Sequence, residues 1–188
     1  MPHTPALLVL DMQNALMAVA DRAAETVAAI AGLRERARAA GVPVVTIQHR
    51  GEGLEAGSEG WRIVPELRPA EGETVVHKTG ADAFVDTGLD RILTALGVTE
   101  VVVTGYATEF CVDSTARQAL SRRYDLILVA DGHTTKARPD ADGLVSSDRA
   151  IAHHNAVYRY IGYTGRRIRV LPASEVDFAA PGPPVRRS

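Results

Sequence analysis

The sequence predicts an α/β fold in which six short parallel strands form one sheet with helices on both faces. Three observations predict it. Short apolar, β-branched runs alternate along the chain with helix-patterned stretches, as crossover connections require of a parallel sheet. The first run, Ala6-Leu7-Leu8-Val9-Leu10, is apolar at every position, which is the pattern of a strand buried on both faces. Several runs end directly on polar or reactive residues, and ligand sites in such sheets lie beyond the carboxyl ends of the strands.

Taken in order, the first strand ends at Asp11, followed by Met12-Gln13-Asn14. Residues 21–40 are alanine-rich, with Val27, Ile30, Leu33 and Ala37 on one helical face and Arg34, Glu35 and Arg38 toward water; Gly41 stops that helix. The second strand is 42–48 (VPVVTIQ), with Pro43 near its start, where a missing donor matters little. Residues 50–72 form a long irregular segment with Gly51, Gly53, Gly57, Gly60 and the single tryptophan, Trp61. Its glycines have the wrong spacing for a phosphate loop, and acids lie among them, so it reads as a pocket-shaping loop or a subunit contact. The third strand, 73–77 (ETVVH), runs into Lys78, and a helix over 87–96 carries Leu89, Ile92, Leu93 and Leu96 before Gly97 closes it. Val101-Val102-Val103-Thr104 is the fourth strand, and Ala116, Ala119 and Leu120 mark the helix after it. Residues 125–130 (DLILVA) are the fifth strand, ending at Asp131-Gly132-His133. A helix over 142–160 and a last strand over 167–171 follow. Residues 1–188 are expected to form one domain, with 173–188, rich in Pro, Ala and Arg, as a largely irregular tail with little core of its own.

Composition excludes some classes of function. With 46% hydrophobic residues in 188, the chain suits a globular core, and 21 Lys+Arg against 23 Asp+Glu leave a net charge of −2. There is no basic stripe for nucleic acid, no apolar run of the roughly 18 residues a membrane span needs, and no signal-peptide pattern. A single cysteine forms no intramolecular disulfide, so a cytoplasmic protein is expected.

That cysteine, Cys111, lies in residues 105–120 (GYATEFCVDSTARQAL), where a strand gives way to a helix. Unpaired N–H groups and the helix dipole at such a place favour an anion, so a thiolate is expected to form more easily than in free cysteine, and the same N–H groups suit an oxyanion. A lone buried cysteine is also a common core residue. The topology decides between the two. Asp11, Lys78 and Cys111 follow strands one, three and four, so residues scattered in sequence converge beyond one sheet edge. Asp11 can take the thiol proton and later return it to a leaving amine, Lys78 can stabilise both anions, and the thiolate can attack an acyl carbon.

Leu8-Val9-Leu10-Asp11-Met12-Gln13-Asn14, the segment from Lys78 to Ala83-Phe84, and Gly105-Tyr106-Ala107-Thr108-Glu109-Phe110-Cys111-Val112 resemble the isochorismatase-like cysteine hydrolases, which include nicotinamidases and other small-amide hydrolases. The resemblance spans about residues 6–172. It implies a Rossmann-like sheet, a catalytic triad at Asp11, Lys78 and Cys111, a cis peptide before Ala107, and an oxyanion hole from the N–H groups of Ala107 and Cys111. Homodimers or larger homo-oligomers are usual in that family. Nicotinamidases carry an Asp-x-His pair and a further histidine that bind a metal. Here His49, Glu52, Glu55 and Glu59 lack that spacing, so no metal and no other cofactor is expected. Isochorismatases that cleave a vinyl ether often lack the cysteine, so its presence favours amide chemistry. The run from Glu109 to Arg117, with Asp131-Gly132-His133-Thr134-Thr135 and His153-His154-Asn155, is most similar to a subgroup containing streptothricin hydrolases, which open a lactam in an antibiotic. A small amide or lactam is therefore the expected substrate.

Gln13, Trp61, Phe84, Tyr106 and His133 are the candidates to line the pocket. His153 and His154 tempt a metal reading, but adjacent helical side chains point roughly 100° apart, so polar contacts or a subunit interface fit them better. A nicotinamidase-like amidase, a nucleotide- or flavin-binding module and a non-catalytic binder of the same fold are the alternatives. The turn after the first strand has no glycine, which counts against a nucleotide.

Overall fold

The computed structural model describes residues 3–141 and 143–179. Six strands form the sheet: β1 (Pro5–Leu10), β2 (Val44–His49), β3 (Thr74–Lys78), β4 (Glu100–Tyr106), β5 (Asp125–Thr134) and β6 (Ile168–Leu171). All neighbours pair in parallel, in the order β3-β2-β1-β4-β5-β6. The helices are α1 (Asn14–Met17), α2 (Ala23–Ala39), α3 (Leu89–Ala95), α4 (Asp113–Ser121) and α5 (Ser147–Tyr160). The sequence expected one helix between the first two strands; the structure adds the single turn α1. The fifth strand runs on to Thr134, so His133 lies within β5 rather than in a turn after it. The expected start of the last helix, Asp142, lies outside the described residues, and α5 opens at Ser147.

Alternation along the strands builds two cores, because successive side chains point to opposite faces. Leu8, Leu10, Val101, Val103, Leu126 and Leu128 pack with Leu89, Leu93, Ala116, Leu120 and Tyr158 of α3, α4 and α5. On the other face, Leu7, Val9, Val102, Ile127 and Val129 pack with Ile30, Leu33 and Ala37 of α2. Ala173, Val176 and Phe178 are buried on this second face, so residues 173–179 add to a core that the sequence did not assign them; residues 180–188 lie outside the described residues. Among the described residues no helix is long and apolar enough to cross a membrane.

The strand order reverses between β1 and β4, where a doubly wound sheet opens a crevice at the strand carboxyl ends. Here the pairing of β1 with β4 leaves no room for a side chain on one residue. Gly105 stands opposite Leu10 with φ +123°, and a Cβ on it would lie 2.1 Å from the Leu10 carbonyl oxygen. Only glycine fits there.

Candidate active site

Each of the three convergent residues is placed by the end of a strand. Asp11 follows β1 with φ +53°, a left-handed turn that Asp tolerates better than most residues. Lys78 is the last residue of β3 and pairs in register with His49 of β2. Cys111 lies in a π-helical turn, Thr108–Val112, between β4 and α4. The Tyr106–Ala107 peptide that enters this turn is cis. The Ala107 carbonyl accepts from the N–H groups of Phe110 (3.0 Å) and Val112 (3.1 Å), closing the turn.

The structure brings the three side chains together. Lys78 Nζ lies 2.7 Å from Asp11 Oδ2 and donates to Cys111 Sγ at 3.2 Å and to the Gly80 carbonyl at 3.0 Å. Asp11 and Lys78 are both buried, whereas Cys111 is half-buried. Beyond the ammonium and the Cys111 thiol, no donor reaches the Asp11 carboxylate among the described residues.

Burial and charge set the protonation states. Burial pushes the Asp11 carboxyl above its ordinary range, against the opposing pull of Lys78. Burial, reinforced by the negative charge of Asp11, also pushes the Cys111 thiol up to about 11, although Lys78 opposes this. This corrects the sequence expectation of an easily formed thiolate. Desolvation and a neighbouring carboxylate outweigh the field of the helix start, and α4 begins only at Asp113. The raised pKa favours the thiol form of Cys111, and Asp11 is placed to take its proton.

The remaining candidates separate. Gln13 is fully buried and its amide is spent on the backbone: Nε2 donates to the carbonyls of His49 (3.0 Å) and Trp61 (2.9 Å), and Oε1 accepts from His49 N–H (2.9 Å). It fastens the end of β2 to the Trp61 loop and leaves no group for a substrate. The half-buried Trp61 stacks on His77 at 5.6 Å, under the Arg50 guanidinium. Phe84 is buried against Tyr124 and Arg122, at the amino end of β5 and so away from the strand ends that carry the triad. Its role is in the core. Tyr106 is half-buried, and Glu109 and Cys111 both help hold its hydroxyl above the ordinary pKa, after burial. His133 is buried, with Nδ1 2.8 Å from Thr108 Oγ1 and Nε2 3.1 Å from Asn155 Oδ1, so neither ring nitrogen is open to a substrate.

Sequence reasoning missed three participants. His49 Nδ1 lies 3.3 Å from Lys78 Nζ, and burial, then Lys78, hold its pKa below the ordinary value. Its place at the end of the neighbouring strand was the available signal. Thr108 and Asn155 stand in segments that carry the family resemblance, but no spacing marks their contacts with His133; Thr108 opens the turn that holds Cys111, and Asn155 reaches it through His133. Among the described residues no three His, Cys, Asp or Glu side chains gather as metal ligands; Glu59 instead pairs with Asn14 and Arg62, and Glu55 with the Gly53 N–H. His153 and His154 meet edge to face at 5.6 Å. A concavity of about 1010 Å³ beside Thr99, Arg123 and Tyr124 lies at the opposite, amino-terminal ends of β4 and β5 and contains none of the triad.

Known proteins share this arrangement of chain. A family model described as the isochorismatase domain matches residues 5–152. Two streptothricin hydrolases of Streptomyces noursei are 37% and 39% identical over 183 residues, covering 94% and 93% of this chain. The chain spans only 65% and 71% of their lengths. A solved isochorismatase structure from Pseudomonas putida KT2440 superposes with a TM-score of 0.80 at 26% identity, over 94% of each chain. The family match covers most of the sheet and all three convergent residues, and the chain belongs to the isochorismatase family.

Proposed function

We propose that the protein is a cysteine hydrolase that cleaves the C–N bond of a small amide or lactam through a thioester, with a streptothricin-type lactam as the leading substrate. The observation that carries this reading is the buried contact of one ammonium, Lys78 Nζ, with both Asp11 and Cys111. Similarity to two streptothricin hydrolases supports the choice of substrate.

The chemistry follows from the protonation states. As Cys111 Sγ attacks the substrate carbonyl carbon, Asp11 takes the thiol proton, and Lys78 compensates the charge passing between them. The carbonyl oxygen becomes an oxyanion held by the N–H groups of Ala107 and Cys111. Collapse breaks the C–N bond, and Asp11 returns the proton to the departing nitrogen. A water then attacks the thioester, losing a proton to Asp11. Breakage of the C–S bond releases the carboxylic acid, and the proton returns to sulfur. One water is consumed and both enzyme groups are restored.

Mass spectrometry on streptothricin-type lactams, simple linear amides and nicotinamide tests this reading, with Cys111→Ala as control. The expected result is substrate heavier by one water with the wild type and unchanged with the variant. A lactam keeps its amine attached, so ammonia release alone would miss it. No water gain by the wild type on any of these substrates, or equal gain by the variant, overturns the reading.

A further inference from the structure

Beyond the triad, a chain of hydrogen bonds runs from β5 and α5 into the turn that carries Cys111, and its Thr108–His133 link is buried. Asn155 Nδ2 donates to the Ala130 carbonyl at 3.0 Å, which fixes the orientation of the amide. Asn155 Oδ1 therefore faces His133 Nε2, 3.1 Å away, as an acceptor. His133 therefore carries a proton on Nε2, and in the neutral ring this leaves Nδ1 with a lone pair toward the Thr108 hydroxyl at 2.8 Å. Each partner then has one defined role: Thr108 donates to His133, His133 to Asn155, and Asn155 to the backbone. His133 and Thr108 are each 1% exposed, so water does not compete for the bond between them.

The last link bears on catalysis through position. Thr108 is the first residue of the π-helical turn and follows Ala107 directly. Its main chain connects the two N–H groups assigned above to the oxyanion. The register places His133 opposite Gly105 and Thr134 opposite Tyr106, so the strand pair delivers the imidazole to the entry of the turn. We infer that His133, as a neutral imidazole protonated on Nε2, is a positioning residue that sets the oxyanion-binding turn by accepting the Thr108 hydroxyl. This rests on the hydrolase reading for its consequence, but not for its geometry. Burial, with the pKa of the imidazole pushed down to about 4, is consistent with a ring that stays neutral.

The experiment has two arms. Nitrogen-15 NMR of the full-length wild type at neutral pH is expected to show His133 protonated on Nε2 alone. In Thr108→Val, which removes the hydroxyl at nearly constant shape, the Ala107 and Cys111 amide resonances are expected to move. Thr108→Ser, which keeps the hydroxyl, is expected to restore them. In kinetics, Thr108→Val is expected to lower kcat about 10- to 100-fold with KM little changed, and Thr108→Ser to recover most of the loss. A purely structural bond would not produce that split between kcat and KM. An imidazolium or Nδ1-protonated ring, unmoved amide resonances, or wild-type kcat in Thr108→Val overturns the inference. If the wild type hydrolyses no amide, the hydrolase reading falls and the NMR arm alone decides the positioning role.

Discussion

Asp11 answers to two neighbours at once. Its charge offsets that of the buried Lys78 ammonium 2.7 Å away, and after burial it is the main group that raises the Cys111 thiol. Asp11→Asn removes both effects while keeping the shape. A buried cation left without its partner costs about 3–5 kcal/mol, so the urea midpoint of the variant is expected to fall. The thiol should change in the opposite sense to activity. With Asp11 neutralised and Lys78 retained, the Cys111 pKa drops, iodoacetamide alkylation at neutral pH becomes faster than in the wild type, and amide hydrolysis is lost. Alkylation no faster than the wild type would mean that Asp11 does not act on the sulfur. His133 gives a second prediction at this scale. Its imidazole is held near pKa 4 by burial, against an ordinary 6.5. Between those values the unfolded chain binds a proton that the folded chain refuses, so stability falls as pH drops through the window, by up to about 3 kcal/mol from this group. Denaturation midpoints measured across that range should fall less steeply in His133→Gln. An unchanged slope would contradict the buried neutral ring.

At the level of elements, the site depends on how strands are held at both ends. The triad stands at the carboxyl edge, yet the amino end of β3 is anchored to α2: Arg34 pairs with Glu73 at 2.9 Å and Arg38 with the same carboxylate at 2.8 Å. Burial alone would raise the Glu73 carboxyl, but Arg38, the Ala70 N–H and Arg34 hold it at about 2. Lys78 is thus presented by a strand fixed at its other end. The contact of β1 with β4 is stricter. A methyl group at Gly105 would overlap the Leu10 carbonyl, and the backbone conformation already excludes most side chains. Gly105→Ala is therefore expected to destabilise by more than about 4 kcal/mol and to leave little soluble protein, as read by expression and thermal melting. A well-folded, active Gly105→Ala would show that the two strands can separate without loss of the site. β5 shows where local reading stopped short. Asp131-Gly132-His133 has the composition of a turn, but pairing with Gly105 and Tyr106 after a register shift in β4 extends the strand through it. Pairing of that kind is decided by the neighbouring strand, which local composition does not report.

For the whole molecule, the meeting of Asp11, Lys78 and Cys111 was legible because parallel sheets put strand ends together whatever lies between them in sequence. The groups around the triad were not legible. His133 was singled out to line the pocket and Thr108 only as part of a family-like segment, and their contact spans 25 positions of chain with no spacing rule to announce it. The same blindness affected the C-terminal stretch. Its Pro, Ala and Arg content reads as unstructured, yet Ala173, Val176 and Phe178 cover the α2 face of the sheet. The Ala173 N–H donates to Asp131 Oδ1 at 2.6 Å, and Arg36 of α2 donates to the Ala173 carbonyl. These few apolar side chains are too sparse to form a pattern, and their burial depends on a helix laid down more than a hundred residues earlier. A chain ending at Pro172 tests their weight. Burial of Val176 and Phe178 contributes about 1.5–3 kcal/mol each, so truncation should lower the urea midpoint well beyond the effect of a surface deletion. The strands that place the triad do not include these residues, so hydrolysis without denaturant should persist in the truncated chain. An unchanged midpoint would mean that residues 173–179 only rest on the sheet. Loss of activity with an unchanged midpoint would instead tie this segment to the site itself.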